Sequence, residues 1–195
     1  MIVGVDVDDV LFPLKKELYY HINHKYGLNL DWRTPHYLFG VDWGVSIEEG
    51  AELYYEFTDT AGFRDMKPIP GAVEGMKILK SLSEETLVIT SRANFLREAT
   101  ERSLERHFTG IFSGIEMGNH YNFRTNGPVF SKRELCERRN VGMLIEDQAK
   151  YASELGKNIP VILFDQPWNQ GFESENVYRA KSWREIVEIV KKLIC

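Results

Sequence analysis

The chain is poor in cysteine, has no long apolar run and carries no basic surplus. Two cysteines, Cys136 and Cys195, stand in 195 residues. They leave room for one disulfide, but neither sits in a CxxC or Cys/His metal spacing, so the expectation is two free thiols in a reducing compartment. No uninterrupted apolar stretch approaches the roughly 20 residues that span a bilayer, so no membrane partner is expected. Lys and Arg number 24 against 29 Asp and Glu, a net charge of −5, which argues against a coat for a nucleic-acid polymer. The start, Met1-Ile2-Val3-Gly4-Val5-Asp6, lacks the basic n-region of a signal peptide, and a cytoplasmic location is expected. What is present suits a globular domain. A 43% hydrophobic and 27% charged composition is not that of a disordered chain, and this length can bury about 70% of its unfolded surface.

Short β-branched runs alternate with amphipathic stretches. Strands are predicted over 2–7, 86–90, 110–115, 142–146 and 159–164. Helices are predicted over 72–82, 95–107, 132–139, 148–155 and 182–194, the last opened by a Ser182/Glu185 capping box. Strand–helix alternation implies βαβ crossovers, hence an α/β fold with three layers, a Rossmann-like parallel sheet covered on both faces. One stretch breaks the rhythm. Between the first strand and the helix at Ala72 lie about sixty residues with helical patterns at 14–26 and 46–60, too long for a loop. This predicts a helical subdomain over 14–66 inserted into a core of 1–13 and 67–195. Residues 12–63 also hold 12 of the chain's 24 aromatics. Core packing accounts for any one ring better than a planar ligand does.

Ligands of open parallel sheets bind outside the carboxyl ends of the strands. Those ends here read Asp6-Val7-Asp8-Asp9-Val10, Thr90-Ser91-Arg92 and Glu146-Asp147, with Lys132 opening a helix. An Asp-x-Asp alone is weak, because acidic residues close many strands as turn formers. Asp9 is read in just that way. Together, however, these groups meet the needs of phosphoryl transfer. A carboxylate approaching a phosphate dianion faces about 4 kcal/mol per charge pair at 4 Å and an effective dielectric near 20. A hard divalent cation held by two carboxylates and a carbonyl offsets this. A lysine and hydroxyl or amide donors take up the remaining charge. A second carboxyl two residues on can protonate the leaving alkoxide and then activate water. His21, His24 and His36 could in principle ligate zinc, but without a nearby Cys they are read as solvated or packing residues.

The constellation resembles the haloacid dehalogenase-like phosphohydrolase superfamily over essentially the whole chain. The resemblance implies Asp6 as nucleophile and metal ligand, and Asp8 as general acid/base with its carbonyl on the metal. Thr90, Ser91 and Lys132 would hold phosphate, Asp147 would bind Mg2+, and Glu146 would support it. The helical insertion resembles that superfamily's cap. An acid at position 8 matches the phosphomonoester phosphatases. The segments Thr90-Ser91-Arg92, Lys67-Pro68-Ile69-Pro70-Gly71-Ala72 and Leu163-Phe164-Asp165-Gln166-Pro167-Trp168-Asn169 are most similar to the 5'(3')-deoxyribonucleotidase (C-type 5'-nucleotidase) group. That implies a nucleoside monophosphate as substrate, with the base on cap rings, for which Phe12, Phe39 and Trp43 are candidates. Arg92 could reach the phosphate or pair with a carboxylate. The alternatives are a phosphatase for another small phosphomonoester, such as a sugar phosphate, and a non-catalytic regulator of the same fold. No damage to the motif favours the regulator, and a signalling receiver domain would be shorter and uninterrupted. An oligomer is left open.

Overall fold

A computed structural model of the chain describes residues 1–35, 40–120, 122–124 and 127–194. Six strands, β1 (Ile2–Val5), β2 (Glu85–Thr90), β3 (Gly114–Met117), β4 (Val141–Glu146), β5 (Val161–Phe164) and β6 (Val177–Ala180), form one sheet. Its order is β3-β2-β1-β4-β5-β6, and every neighbouring pair is parallel. The helices are α1 (Leu14–Tyr26), α2 (Ile47–Thr58), α3 (Ala61–Arg64), α4 (Ala72–Leu82), α5 (Arg97–Phe108), α6 (Lys132–Arg138), α7 (Ala149–Leu155) and α8 (Trp183–Ile194).

Successive strand side chains point to opposite faces, and both faces are apolar. Val3, Val5, Val88, Met143, Ile145 and Ile162 share one cluster with Met76 and Leu79 of α4, Leu104 and Phe108 of α5, and Trp183 and Ile186 of α8. Leu87, Ile89, Leu144, Val161 and Leu163 meet Leu135 of α6 and Leu155 of α7 on the other face. The result is the expected three-layer α/β fold. Gly4 in the central strand lets its neighbours close over it, because a Cβ there would lie 3.0 Å from Ile89 Cγ1 and 3.1 Å from Leu144 Cδ1.

Among the described residues, the helices within 14–66 share their core with the sheet. Leu14, Leu18 and Ile22 of α1, Tyr55 and Phe57 of α2, and Phe63 of α3 belong to the same cluster as the first sheet face. Helix α1 ends at Gly27, whose φ of 66° is the left-handed conformation that suits glycine. Helix α2 starts at Ser46, where Glu49 completes a reciprocal capping box. Among the described residues no helix is long and apolar enough to cross a membrane.

Three sequence expectations shift. The third strand is Gly114–Met117 rather than 110–115, because Ile111 is spent on packing against the first core cluster while Ser113 N–H reaches Thr86 O. Strand β6 was not expected. At α8, Ser182 Oγ accepts from Glu185 N–H at 3.3 Å, but the Glu185 carboxylate accepts from Lys181 N–H at 2.8 Å, so only half of the expected box forms. Cys136 is a free, buried thiol, whose pKa burial pushes up to about 12; Cys195 lies outside the described residues. His21 pairs with Glu56 at 2.9 Å and His24 stacks on Tyr20, while His36 lies outside the described residues.

Candidate active site

The carboxyl ends of β1, β2 and β4 lie side by side in the sheet order, so their terminal residues converge. Asp6 follows β1 directly, and its N–H extends the ladder to Ile145 O at 3.0 Å. The chain then turns sharply: Val7 O accepts from both Leu11 and Phe12 N–H. Asp9 holds that turn in the left-handed region at φ 57°. Its carboxylate accepts Lys15 N–H at 3.1 Å, tying the turn to the start of α1. This agrees with the turn-shaping reading of Asp9.

Lys132 opens α6 because Ser131 and Glu134 form a reciprocal capping box there. Its ammonium lies 2.7 Å from Asp6 Oδ2 and 2.5 Å from Glu146 Oε2. Glu146 Oε1 in turn accepts the N–H groups of Asp147 and Gln148 at 3.1 and 3.0 Å. Asp147 Oδ2 accepts the Trp168 indole N–H at 2.7 Å, and Asn169 Nδ2 donates to Asp147 O at 2.7 Å. Arg179 anchors this loop by donating to Asn169 Oδ1 at 2.8 Å.

Asp6, Glu146 and Asp147 are all buried, and each offers an oxygen within 4.8 Å of the others. Three carboxylates and one lysine leave an excess of about two negative charges in a region of low dielectric. Burial, with Glu146 and Asp8 adding and Lys132 opposing, raises the Asp6 pKa to about 7. Burial beside Glu146 and Asp6 lifts Asp147 well above the usual carboxylate range. Burial would lower the Lys132 pKa, but Asp6 and Glu146 outweigh it and hold the ammonium charged. Among the described residues, Asp6 Oδ1 and Asp147 Oδ1 are buried with no hydrogen-bond partner. Buried carboxylate oxygens are rarely left unsatisfied. Two of them, hard oxygen donors whose ionised form a cation would stabilise, fit a divalent cation that takes oxygen ligands. Both oxygens of Glu146 are engaged already, which suits it to hold Lys132 and the chain turn.

Thr90 ends β2 and is fully buried; its Oγ1 accepts Arg92 N–H at 3.2 Å. Ser91 Oγ donates to Tyr151 OH at 3.1 Å. A cleft opens here, and its walls include Asp6, Asp8, Ser91 and Arg92. Arg92 does not stand free: it pairs with Asp8, Nη2 to Oδ1 at 2.6 Å.

Two of the expected substrate rings, Phe12 and Trp43, pack elsewhere. Phe12 is 1% exposed, its ring edge-on to His107 and Phe108. The turn after Asp8 sends the ring into the first sheet face, and closeness in sequence to the junction says nothing of that direction. Trp43 packs edge-on to Tyr19 at 5.5 Å and does not line the cleft. Phe39 lies outside the described residues. The cleft is instead lined by Tyr54, His120, Gln148 and Tyr151, from three separate segments. Only Gln148 and Tyr151, just past the acidic pair, carried a positional signal.

The geometry can be set beside known proteins. A family model described as "5' nucleotidase, deoxy (Pyrimidine), cytosolic type C protein" matches residues 1–194. The chain is similar to a Bacillus cereus protein named "Putative nucleotidase", 24% identical over 199 residues that cover 97% of each. Among solved structures it is similar to a haloacid dehalogenase-like family hydrolase from Streptococcus pneumoniae, with a TM-score of 0.67, 13% identity and 97% of each chain covered. It is also similar to a structure described as a predicted phosphatase from Clostridium acetobutylicum, with a TM-score of 0.68, 18% identity and 98% of each chain covered. Those two likenesses establish the haloacid dehalogenase-like fold. With the family model matched across residues 1–194, the chain belongs to the 5' nucleotidase, deoxy (Pyrimidine), cytosolic type C family.

Proposed function

We propose that the protein hydrolyses a nucleoside 5'-monophosphate through a covalent intermediate on Asp6, with magnesium as its metal. The coarser activity, that of a phosphatase of the 5'-nucleotidase kind, comes with the family. The observation that carries the finer reading is the pair of buried, unpartnered oxygens on Asp6 and Asp147 beside Lys132.

Asp6 and Asp147 would hold the cation, with Glu146 fixing Lys132. The metal would offset the charge of the dianion that the Asp6 carboxylate must approach. Asp6 attacks phosphorus, and the bond to the ester oxygen breaks. Lys132 and the hydroxyls of Thr90 and Ser91 take up charge on the phosphoryl oxygens. Asp8 gives its proton to the departing alkoxide. It then takes one from the water that attacks phosphorus, and the bond to Asp6 breaks to release phosphate. The helices of residues 14–66 act as the cap over this site, with Tyr54 reaching it from α2. The acidic balance favours a small substrate over a polymer, and a cytoplasmic setting suits a chain with an unpaired buried thiol.

The test is phosphate release with magnesium across ribo- and deoxyribonucleoside monophosphates, sugar phosphates and an aryl phosphate. Nucleoside monophosphates are expected to be preferred, chelator to silence the enzyme reversibly, and Asp6→Asn to abolish turnover with an unchanged melting temperature. Near-full activity of Asp6→Asn would overturn the mechanism. Preference for sugar phosphates would overturn the substrate and leave the mechanism standing.

A further inference from the structure

We infer that Arg92 is a positioning residue that acts through Asp8 and does not bind the phosphate. The inference rests on the acid/base role proposed for Asp8. Three observations converge on the guanidinium. Its Nε and Nη2 form a planar fork on the Asp8 carboxylate: Nε to Oδ2 at 3.0 Å, Nε to Oδ1 at 3.2 Å and Nη2 to Oδ1 at 2.6 Å. Its third nitrogen, Nη1, donates to Thr100 Oγ1 at 2.9 Å. That hydroxyl spends its own proton on Leu96 O at 2.8 Å, so toward Arg92 it can only accept. The guanidinium carbon lies over the Phe63 ring of α3, 5.1 Å from its centre.

Each nitrogen thus spends an N–H on protein, three of the five donors in all, and the Arg92 side chain is 2% exposed. The Asp8 side chain is 12% exposed and reaches the cleft. A carboxylate on a tight turn can swing through several rotamers, whereas an acid/base group must stay within hydrogen-bond reach of one oxygen. A two-point fork fixes both torsions of Asp8, which a lysine's single ammonium cannot do. Were Arg92 to turn this fork to phosphate instead, it would strand the Asp8 carboxylate. The Phe63 contact adds a link to the insertion: the group that aims Asp8 is itself packed beneath α3.

The experiment is a double-mutant cycle with Arg92→Lys and Asp8→Asn, read by kcat and KM on an aryl phosphate and by calorimetric titration with inorganic phosphate in the presence of magnesium. Arg92→Lys is expected to lower kcat by about tenfold to a hundredfold, the scale of a misplaced reacting group. KM and phosphate affinity should stay within about twofold, and in the Asp8→Asn background the loss should vanish. Thr100→Val removes an acceptor of Arg92 without touching Asp8; it should give a smaller loss of the same kind and answers the question should Arg92→Lys fail to fold. Additive losses, or phosphate binding weakened tenfold or more by Arg92→Lys or Thr100→Val, would overturn the inference while leaving Asp8 in its role. An Asp8→Asn variant as active as the wild type would overturn both.

Discussion

Lys132 balances Asp6 and Glu146 from inside the protein, with both carboxylates within 2.7 Å of its ammonium and its side chain 1% exposed. Removing one partner from such a cluster leaves uncompensated buried charge, which costs far more than the pair contributes net. Lys132→Met is therefore expected to destabilise the fold by about 3–5 kcal/mol at neutral pH, measured by denaturant unfolding. A loss below about 1 kcal/mol would mean the carboxylates neutralise themselves by taking up protons. At this scale the sequence was informative wherever a residue's position follows from its own element. Thr90 and Glu146 end strands, Asp6 directly follows one, and Lys132 opens a capped helix. It was silent wherever a partner lay across the fold. Nothing near Arg92 in the chain distinguishes a bond to Asp8 from one to a ligand, and nothing near Phe12 tells which side its ring faces.

Between elements, α1 and α2 are joined through Glu56. Burial would raise its pKa, but the donors Lys25, His21 and Tyr26 of α1 outweigh this and hold it at about 2, below an ordinary 4.5. The distances are 2.6 Å from Lys25, 2.9 Å from His21 and 2.8 Å from the Tyr26 hydroxyl. A carboxylate with a depressed pKa contributes stability above its unfolded value, and that contribution is lost as pH falls toward the folded one. Glu56→Gln should therefore lower the melting temperature at pH 7, with the gap to wild type closing between about pH 4.5 and 2. A gap that is independent of pH would mean packing rather than charge holds α1 to α2. Legibility at this scale depended on caps and length. Helices α1 and α4 occupy the spans their periodicity predicts, each ended by recognisable residues. Strand β6 escaped because four residues with one charged member, Val177-Tyr178-Arg179-Ala180, show no usable period. Its place is set by pairing with β5 and by the Arg179–Asp165 contact at 2.5 Å.

Across the whole molecule, α4 and α8 lock together through a missing side chain. A Cβ on Gly75 would lie 2.6 Å from Trp183 Cε3. Trp183 cannot easily yield, being 1% exposed with its indole N–H on Val10 O at 3.0 Å. Alanine would gain up to about 1 kcal/mol of helix propensity, but overpacking against a pinned indole costs about 1–3 kcal/mol. Gly75→Ala should thus destabilise the protein, and because Val10 belongs to the turn carrying Asp8, activity should fall with it. An unchanged unfolding midpoint would show that the indole has room to move.

The strand that leads into Asp6 finds its partners late in the chain: Ile2 sits opposite Glu85 on one side and Val141 on the other. Contacts so distant in sequence form slowly, since long loops must close first. The two acids with unpartnered oxygens lie just beyond β1 and just beyond β4, so a cation held between them would find both only after that pairing is made. If magnesium is the metal, as proposed, it should act as a late clasp: in stopped-flow experiments it should retard unfolding and leave the refolding rate unchanged. Acceleration of refolding would instead mean that the two strand ends meet before the sheet is complete.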